Sequence, residues 1–222
     1  MLEARWCRTE MAGLNAKDGR IFRITHVNNV PWLLDNGLHC MNSPKQDLNF
    51  VPIGSQELIL KRSSHTVEAE PRGTLADYIP FYFTPYSVMM YNIKTGYHGV
   101  IQRPNHEIVI LTSSVHRLAE LKIPFVFYDG HAYMQESTCY NSVDDLDKID
   151  WPLLQAKDFR RDPERPEKFN RYQAEALAYR HVPIDALLGI ACYNESTTEQ
   201  IANDTANASL NLAVKTLPSW YF

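Results

Sequence analysis

Three short runs rich in aromatic and β-branched residues, DYIPFYF (77–83), HEIVILTS (106–113) and IPFVFYDG (123–130), constrain the fold of this chain most. Such residues favour a pleated, half-buried surface, and the runs read as strands of a mainly antiparallel sheet. SVMMYNI (87–93) follows the first run after TPY and reads as a further strand, while SSVHRLAELK (113–122) reads as a capped helix. A fourth apolar stretch, RYQAEALAYRHVP (171–183), is ambiguous. Propensity favours a helix there, whereas alternation puts Glu175, Leu177 and Tyr179 on one strand face and Ala174, Ala176 and Ala178 on the other. On an exposed helix Glu175 is ordinary solvated charge; inside a buried strand a lone carboxylate needs a reason.

The remaining segments are mixed irregularly. IFRIT (21–25) alternates as a strand, and NNVPWLLDNGL (28–38) reads as a helix with Asn28 or Asn29 capping its first amides, Pro31 in its first turn and Gly37 ending it. Residues 39–74 form a long, polar, turn-rich loop of the kind that serves as a functional flap, enclosing QELILKRSSHTV, which suits a short helix or a strand equally. KDFRRDPERPEKFNR (157–171) carries six basic and four acidic side chains and two prolines, a solvated connector with some local positive charge. LLGIACYN reads as a strand, TTEQIANDTANASLNLAV as a helix opened by Thr197 or Thr198 and Glu199, and SWYF as a closing strand. This pattern predicts a single α+β domain over residues 21–222, preceded by a loose arm at 1–20 in which Met11 is an alternative start, and argues against a repeated βαβ nucleotide fold.

With 222 residues, 45 % hydrophobic and 22 % charged, the chain is long enough for a sizeable core. A formal charge of −4 advertises no overall basic field for a nucleic acid, although a local patch remains compatible with one. The four cysteines, Cys7, Cys40, Cys139 and Cys192, form no C-x-x-C pair, so they suggest neither a zinc site nor a disulfide framework, and no metal is expected. The first twenty residues lack the apolar core of a signal peptide and no stretch approaches a membrane span, which predicts a cytoplasmic protein. Nucleotide-binding glycine motifs, H-E-x-x-H and G-x-S-x-G are all absent from the sequence.

In their order and spacing, IFRITHVNNVPWLLDNGLHC, DYIPFYFTPYSVMMY, IPFVFYDGHAY and RYQAEALAYRHVP resemble the DarT family of DNA-modifying ADP-ribosyltransferase toxins. The likeness runs from about Ile21 to Phe222. It implies a compact ADP-ribosyltransferase fold with a central, mainly antiparallel split sheet and flanking helices, which makes RYQAEALAYRHVP a strand, with NAD as co-substrate and a base in single-stranded DNA, thymine above others, as acceptor. It also implies a macrodomain antitoxin as partner; a monomer is expected.

Residue by residue, the family's catalytic glutamate falls on Glu175. A carboxylate that grips a ribose hydroxyl orients the sugar and stabilises the positive charge built up as the nicotinamide bond breaks. Arg23 and Thr25 match the first NAD-contacting motif, although histidine is common in the family where this chain has Arg23; the plain reading of the adjacent His26 is a strand-end histidine. Gly37 and Leu38 would approach the nicotinamide with bare backbone. Arg62 matches an arginine carried into the active site, either to clamp NAD or to stabilise the thymine anion, while the plain alternative makes it and Lys61 surface charges. For the DNA side the likeness points to His131, Met89 and Tyr91, the last two as pocket wall on one strand face, and the basic run nominates Lys168 and Arg171 as backbone contacts. Two rival readings are the same fold acting on guanine, RNA or protein, and a catalytically inactive NAD- or nucleic-acid-binding module.

Overall fold

The structure, a computed structural model, describes residues 13–222. Ten strands and seven α-helices follow one another along these residues. The first half contains β1 (Arg20–His26), α1 (Val30–Asn36), β2 (Leu38–His39), α2 (Gln56–Arg62), β3 (Tyr78–Tyr82), α3 (Val88–Thr95), β4 (Ile108–Ser114) and α4 (Val115–Glu120). The second contains β5 (Phe125–Tyr128), β6 (Cys139–Tyr140), α5 (Trp151–Gln155), α6 (Lys168–Arg171), β7 (Glu175–Tyr179), β8 (His181–Val182), β9 (Gly189–Cys192), α7 (Glu195–Asn207) and β10 (Ala213–Thr216). Eight strands form one sheet in the order β10-β9-β4-β1-β3-β7-β5-β6, and β2 pairs with β8 beside it. Only β9 and β10 run parallel; every other pair is antiparallel.

The sheet is split at its centre. β1 pairs with β4 along its whole length and β3 with β7 likewise, but β1 and β3 meet only at Phe22 and Tyr82. Beyond that pair the two strands diverge, and Arg23 Nη1 spans the seam by donating to the Pro80 carbonyl at 2.9 Å. The N–H and C=O of a strand residue point the same way, so the N–H that Pro80 lacks would also have faced the seam. Proline therefore costs no ladder bond to β7 and is tolerated in mid-strand.

β7 is a strand despite its alanines because of what flanks it. Ala176 lies between Phe81 of β3 and Phe127 of β5, and Ala178 between Ile79 and Phe125. These large–small–large rows fill the main core, and a side chain larger than alanine would overpack them. On the opposite face Leu177 joins a smaller cluster with Val67, Leu75, Tyr78, Val126 and Tyr128. Glu175 projects from this second face at the end of the strand, by the same alternation.

Several expectations are corrected. SVMMYNI is the helix α3, because the Ser87 side chain accepts the Met90 amide and Gly96 closes the helix in the left-handed conformation. SWYF is no strand; Pro218–Trp220 form a 3-10 turn, and the last strand is β10, which pairs parallel with β9. α7 is capped by Asn194, earlier than Thr197 or Thr198. The amides before α1 are capped by the His26 imidazole, which accepts the Asn28 N–H, whereas Asn29 makes no cap bond. The arm at 1–20 lies partly outside the described residues; within them Leu14 is buried in the main core and Arg20 already belongs to β1. The possible start at Met11 lies outside the described residues.

Gly37 has a φ of +75°, and a Cβ there would sit 2.6 Å from the Val182 carbonyl oxygen of β8. Its missing side chain therefore serves the packing of α1 against β8. Gly37→Ala is expected to cost about 1–3 kcal/mol from the backbone alone, since φ of +75° with ψ of −169° is open essentially to glycine, read as a lower urea midpoint; an unchanged midpoint would contradict that packing. No helix among the described residues is long and apolar enough to cross a membrane.

Candidate active site

Glu175 begins β7 with Tyr82 of β3 directly opposite on one side and Tyr128 of β5 on the other. Its side chain is almost wholly buried, and burial alone would raise its pKa. The neighbouring guanidinium of Arg62 and the backbone N–H of Ala132 outweigh burial and hold the carboxyl below the usual glutamate range. Arg62 Nη1 donates to Oε1 at 3.2 Å and the Ala132 amide donates to the same oxygen at 3.4 Å. Arg62 Nη2 approaches Oε2 to 2.9 Å, but at an orientation that completes no hydrogen bond for either atom. Oε2 is thus a buried carboxylate oxygen, ion-paired with Arg62, that has room to accept a hydrogen bond. Burial also pushes the phenols of Tyr82 and Tyr128 up, so both stay protonated beside the carboxylate.

Arg62 arrives from a different kind of element. α2 is a short helix opened by Ser55, whose hydroxyl accepts the Leu58 amide, with Glu57 in its first turn and Lys61 and Arg62 in its last, the arrangement that suits the helix dipole. Leu60 is exposed, and Lys61 pairs with Glu57. Of the two adjacent cations, Lys61 therefore faces water and Arg62 turns inward. Burial works against the Arg62 charge, and the Glu175 carboxylate more than restores it.

The loop after β5 closes the other side of the carboxylate. Asn170 of α6 accepts the His131 amide at 3.0 Å and so holds that loop. His131 Nδ1 accepts the Tyr133 amide at 3.2 Å, which places the ring proton on Nε2. Its 3.5 Å approach to Glu175 Oε1 is therefore a contact between two acceptors and not an ion pair. Burial first, then the Arg62 charge, lowers the His131 pKa against the pull of Glu175, in keeping with a neutral ring.

Along the seam of the sheet lies a cleft of about 350 Å³ lined by Arg23 and Thr25 of β1, Trp32 of α1, Leu38 of β2, Phe50 of the long loop and Arg62. Arg23 is half-buried, and desolvation pulls its pKa down to about 10, with Tyr82 opposing and Arg62 assisting. Thr25 Oγ1 accepts from Asn29, whose amide also donates to the Val51 carbonyl and accepts the Val51 N–H. One buried side chain thereby ties the floor of the cleft to the loop that forms its rim.

Arg62 links two groups of these residues: it lines the cleft with Arg23, Thr25 and Leu38, and it pairs with Glu175, which His131 approaches from the loop after β5. Gly37 stands just behind Leu38, with the side that a Cβ would occupy turned to β8. Four other candidates fall elsewhere. Met89 and Tyr91 lie two apart on a helix and so share no face, and Tyr91 packs on the rings of Phe159 and Phe222. Lys168 is buried in a 2.8 Å pair with Asp158. Arg171 lies within 4 Å of Asp129 and Asp150 and donates to the Lys148 carbonyl. Sequence reasoning missed Tyr82, Tyr128 and Asn29. Tyr82 and Tyr128 are legible only once the strand register is known.

A family model described as "ssDNA thymidine ADP-ribosyltransferase, DarT" matches residues 22–222. A DNA ADP-ribosyl transferase of Escherichia coli O127:H6 (strain E2348/69 / EPEC) is 51 % identical over 95 % of this chain and 97 % of its own length. One from Thermus sp. (strain 2.9) is 33 % identical over 82 % of this chain and 84 % of its own. Among solved structures, Thermus sp. 2.9 DarT in complex with ADP-ribosylated ssDNA matches with a TM-score of 0.83 at 27 % identity, covering 93 % of this chain and 97 % of that one. The same protein in complex with NAD+ matches with a TM-score of 0.78 at 28 % identity, covering 92 % of this chain and 98 % of that one. On these likenesses, and with a split α+β sheet that carries a buried glutamate–arginine pair at its seam, the chain belongs to the DarT family of ssDNA thymidine ADP-ribosyltransferases.

Proposed function

We propose that this chain transfers ADP-ribose from NAD to a thymine of single-stranded DNA, with Glu175 and Arg62 as its catalytic residues. The observation that carries the reading is the buried Glu175–Arg62 pair, whose guanidinium lines the cleft and lies 2.9 Å from Oε2 without completing a hydrogen bond there. Oε2 can therefore accept from a ribose hydroxyl. Arg23, Thr25, Gly37, Leu38 and Arg62 are the residues that would hold NAD, with the apolar walls of Trp32 and Phe50 suited to flat rings. NAD supplies the ADP-ribose and nicotinamide as leaving group.

The residues divide the work. Glu175 accepts from the ribose and sets its charge against the positive charge that develops on the sugar. Arg62 stays protonated, so it acts as an electrostatic group towards the pyrophosphate or the base and not as a proton acceptor. The neutral Tyr82 and Tyr128 flank the carboxylate without adding charge. The resemblance to toxins opposed by a macrodomain antitoxin extends the reading to such a pair, acting in the cytoplasm where NAD and DNA meet.

The test is incubation of the purified protein with NAD and a mixed-sequence single-stranded oligonucleotide, followed by mass spectrometry. A gain of one ADP-ribose located on thymine is expected. No gain on DNA, or a gain on another base, would overturn the reading.

A further inference from the structure

We infer that Tyr133 and His65 form a stacking platform for a base of the acceptor strand, on the side of the Glu175–Arg62 pair away from the cleft. The inference rests on the proposed DNA reading and names the residues that seat the strand.

The two rings come from the segments that also frame the catalytic pair. His65 lies three residues beyond Arg62, and Tyr133 follows Ala132, whose amide donates to Glu175 Oε1. Their centroids are 5.1 Å apart with the planes inclined by 45°. Arg62 lines the cleft, whereas neither Tyr133, His65 nor His131 does. Arg62 thus reaches from the cleft to Glu175, and Glu175 to the Ala132 amide beside Tyr133.

In a displacement at the ribose carbon, the base nitrogen forms its bond from the side opposite the departing nicotinamide, and the base N–H proton leaves to solvent. The acceptor must therefore approach from outside the NAD site. His131, the sequence's candidate for that side, has its Nδ1 committed to the Tyr133 amide and its ring largely buried. The half-exposed rings of Tyr133 and His65 provide the stacking face instead. Tyr133 is anchored on the Leu177–Tyr128 cluster, and Lys61 lies close enough to feel its phenol, which adds a cation beside the platform. Partly exposed aromatics beside an exposed cation suit a single-stranded nucleic acid, whose bases stack with little regard for sequence.

The experiment compares wild type, Tyr133→Ala, Tyr133→Phe and His65→Ala for the KM of a single-stranded oligonucleotide, NAD affinity by calorimetry, and thermal midpoint. Tyr133→Ala is expected to raise the oligonucleotide KM by about 10-fold or more, with NAD affinity and midpoint close to wild type. Tyr133→Phe should restore KM, since the ring and not the hydroxyl stacks. An unchanged KM in Tyr133→Ala, or equal losses in Tyr133→Phe, would overturn the platform while leaving DNA modification standing. A wild type that modifies no DNA would overturn both readings together.

Discussion

Glu175→Gln is expected to lower the rate of ADP-ribose transfer by at least ~10²-fold, the scale for losing a transition-state electrostatic contact, with little loss of stability. Glutamine keeps the shape of the side chain and one acceptor oxygen, so any large effect isolates the charge. The charge matters because its partner in the reaction is positive only transiently: a carboxylate interacts more strongly with the transition state than with the bound ground state, whereas an amide treats the two nearly alike. The loss should therefore fall on kcat, with NAD affinity largely kept. Any loss of stability should stay small because the glutamine oxygen still accepts from Arg62, whose side chain is buried against it. Single-turnover transfer on an oligonucleotide, with urea unfolding alongside, measures both; transfer within tenfold of wild type by a folded variant would remove Glu175 from the reaction.

How much of this was legible in the chain depends on what kind of interaction decides each element. β1, β4, β5 and β9 followed from residue type, because buried strands of β-branched and aromatic residues carry their signal locally. α3 did not, because its apolar run was weighed without the Ser87 and Gly96 caps that bracket it. β10 escaped because its evidence is a parallel partner, β9, on the far side of α7. β7 runs against helix propensity, and its strand was readable through the family likeness; what makes it one is Phe81 and Phe127, two residues remote in sequence that leave space only for alanine between them. The site divides the same way. Its residues were named through family likeness, and pattern alone did not join Arg62 to Glu175. Lys168 and Arg171 looked available for phosphate because the acids that engage them, Asp158, Asp129 and Asp150, become neighbours only in the fold.

Arg62→Ala is expected to reverse the balance seen for Glu175→Gln: it should destabilise the protein as well as slow transfer. Glu175 is held in the sheet between β3 and β5 with its side chain almost wholly buried. Removing the guanidinium leaves a buried carboxylate with the Ala132 amide as its only donor among the described residues. Breaking such a pair from one side costs about 3 kcal/mol, which for a chain of this length is roughly 6–12 °C of thermal midpoint. The pH dependence gives the sharper test. In the wild type the Glu175 carboxyl is held below its ordinary value, so the stability it contributes is present above the unfolded value of about 4.3 and lost as pH falls through the lower folded one. In Arg62→Ala, burial is left largely unopposed and the carboxyl rises above its unfolded value. The variant's deficit should then be greatest near neutral pH and shrink as the pH falls towards 5, where the carboxyl takes up a proton in the fold. The acid limb of kcat/KM should move to higher pH with it, on top of a loss of about 10²-fold in rate at pH 7.5 from the missing cation. Urea midpoints and transfer rates from pH 5 to 8 follow both consequences, and a deficit that does not change with pH would mean that Arg62 contributes by packing and that Glu175 does not depend on it for its charge.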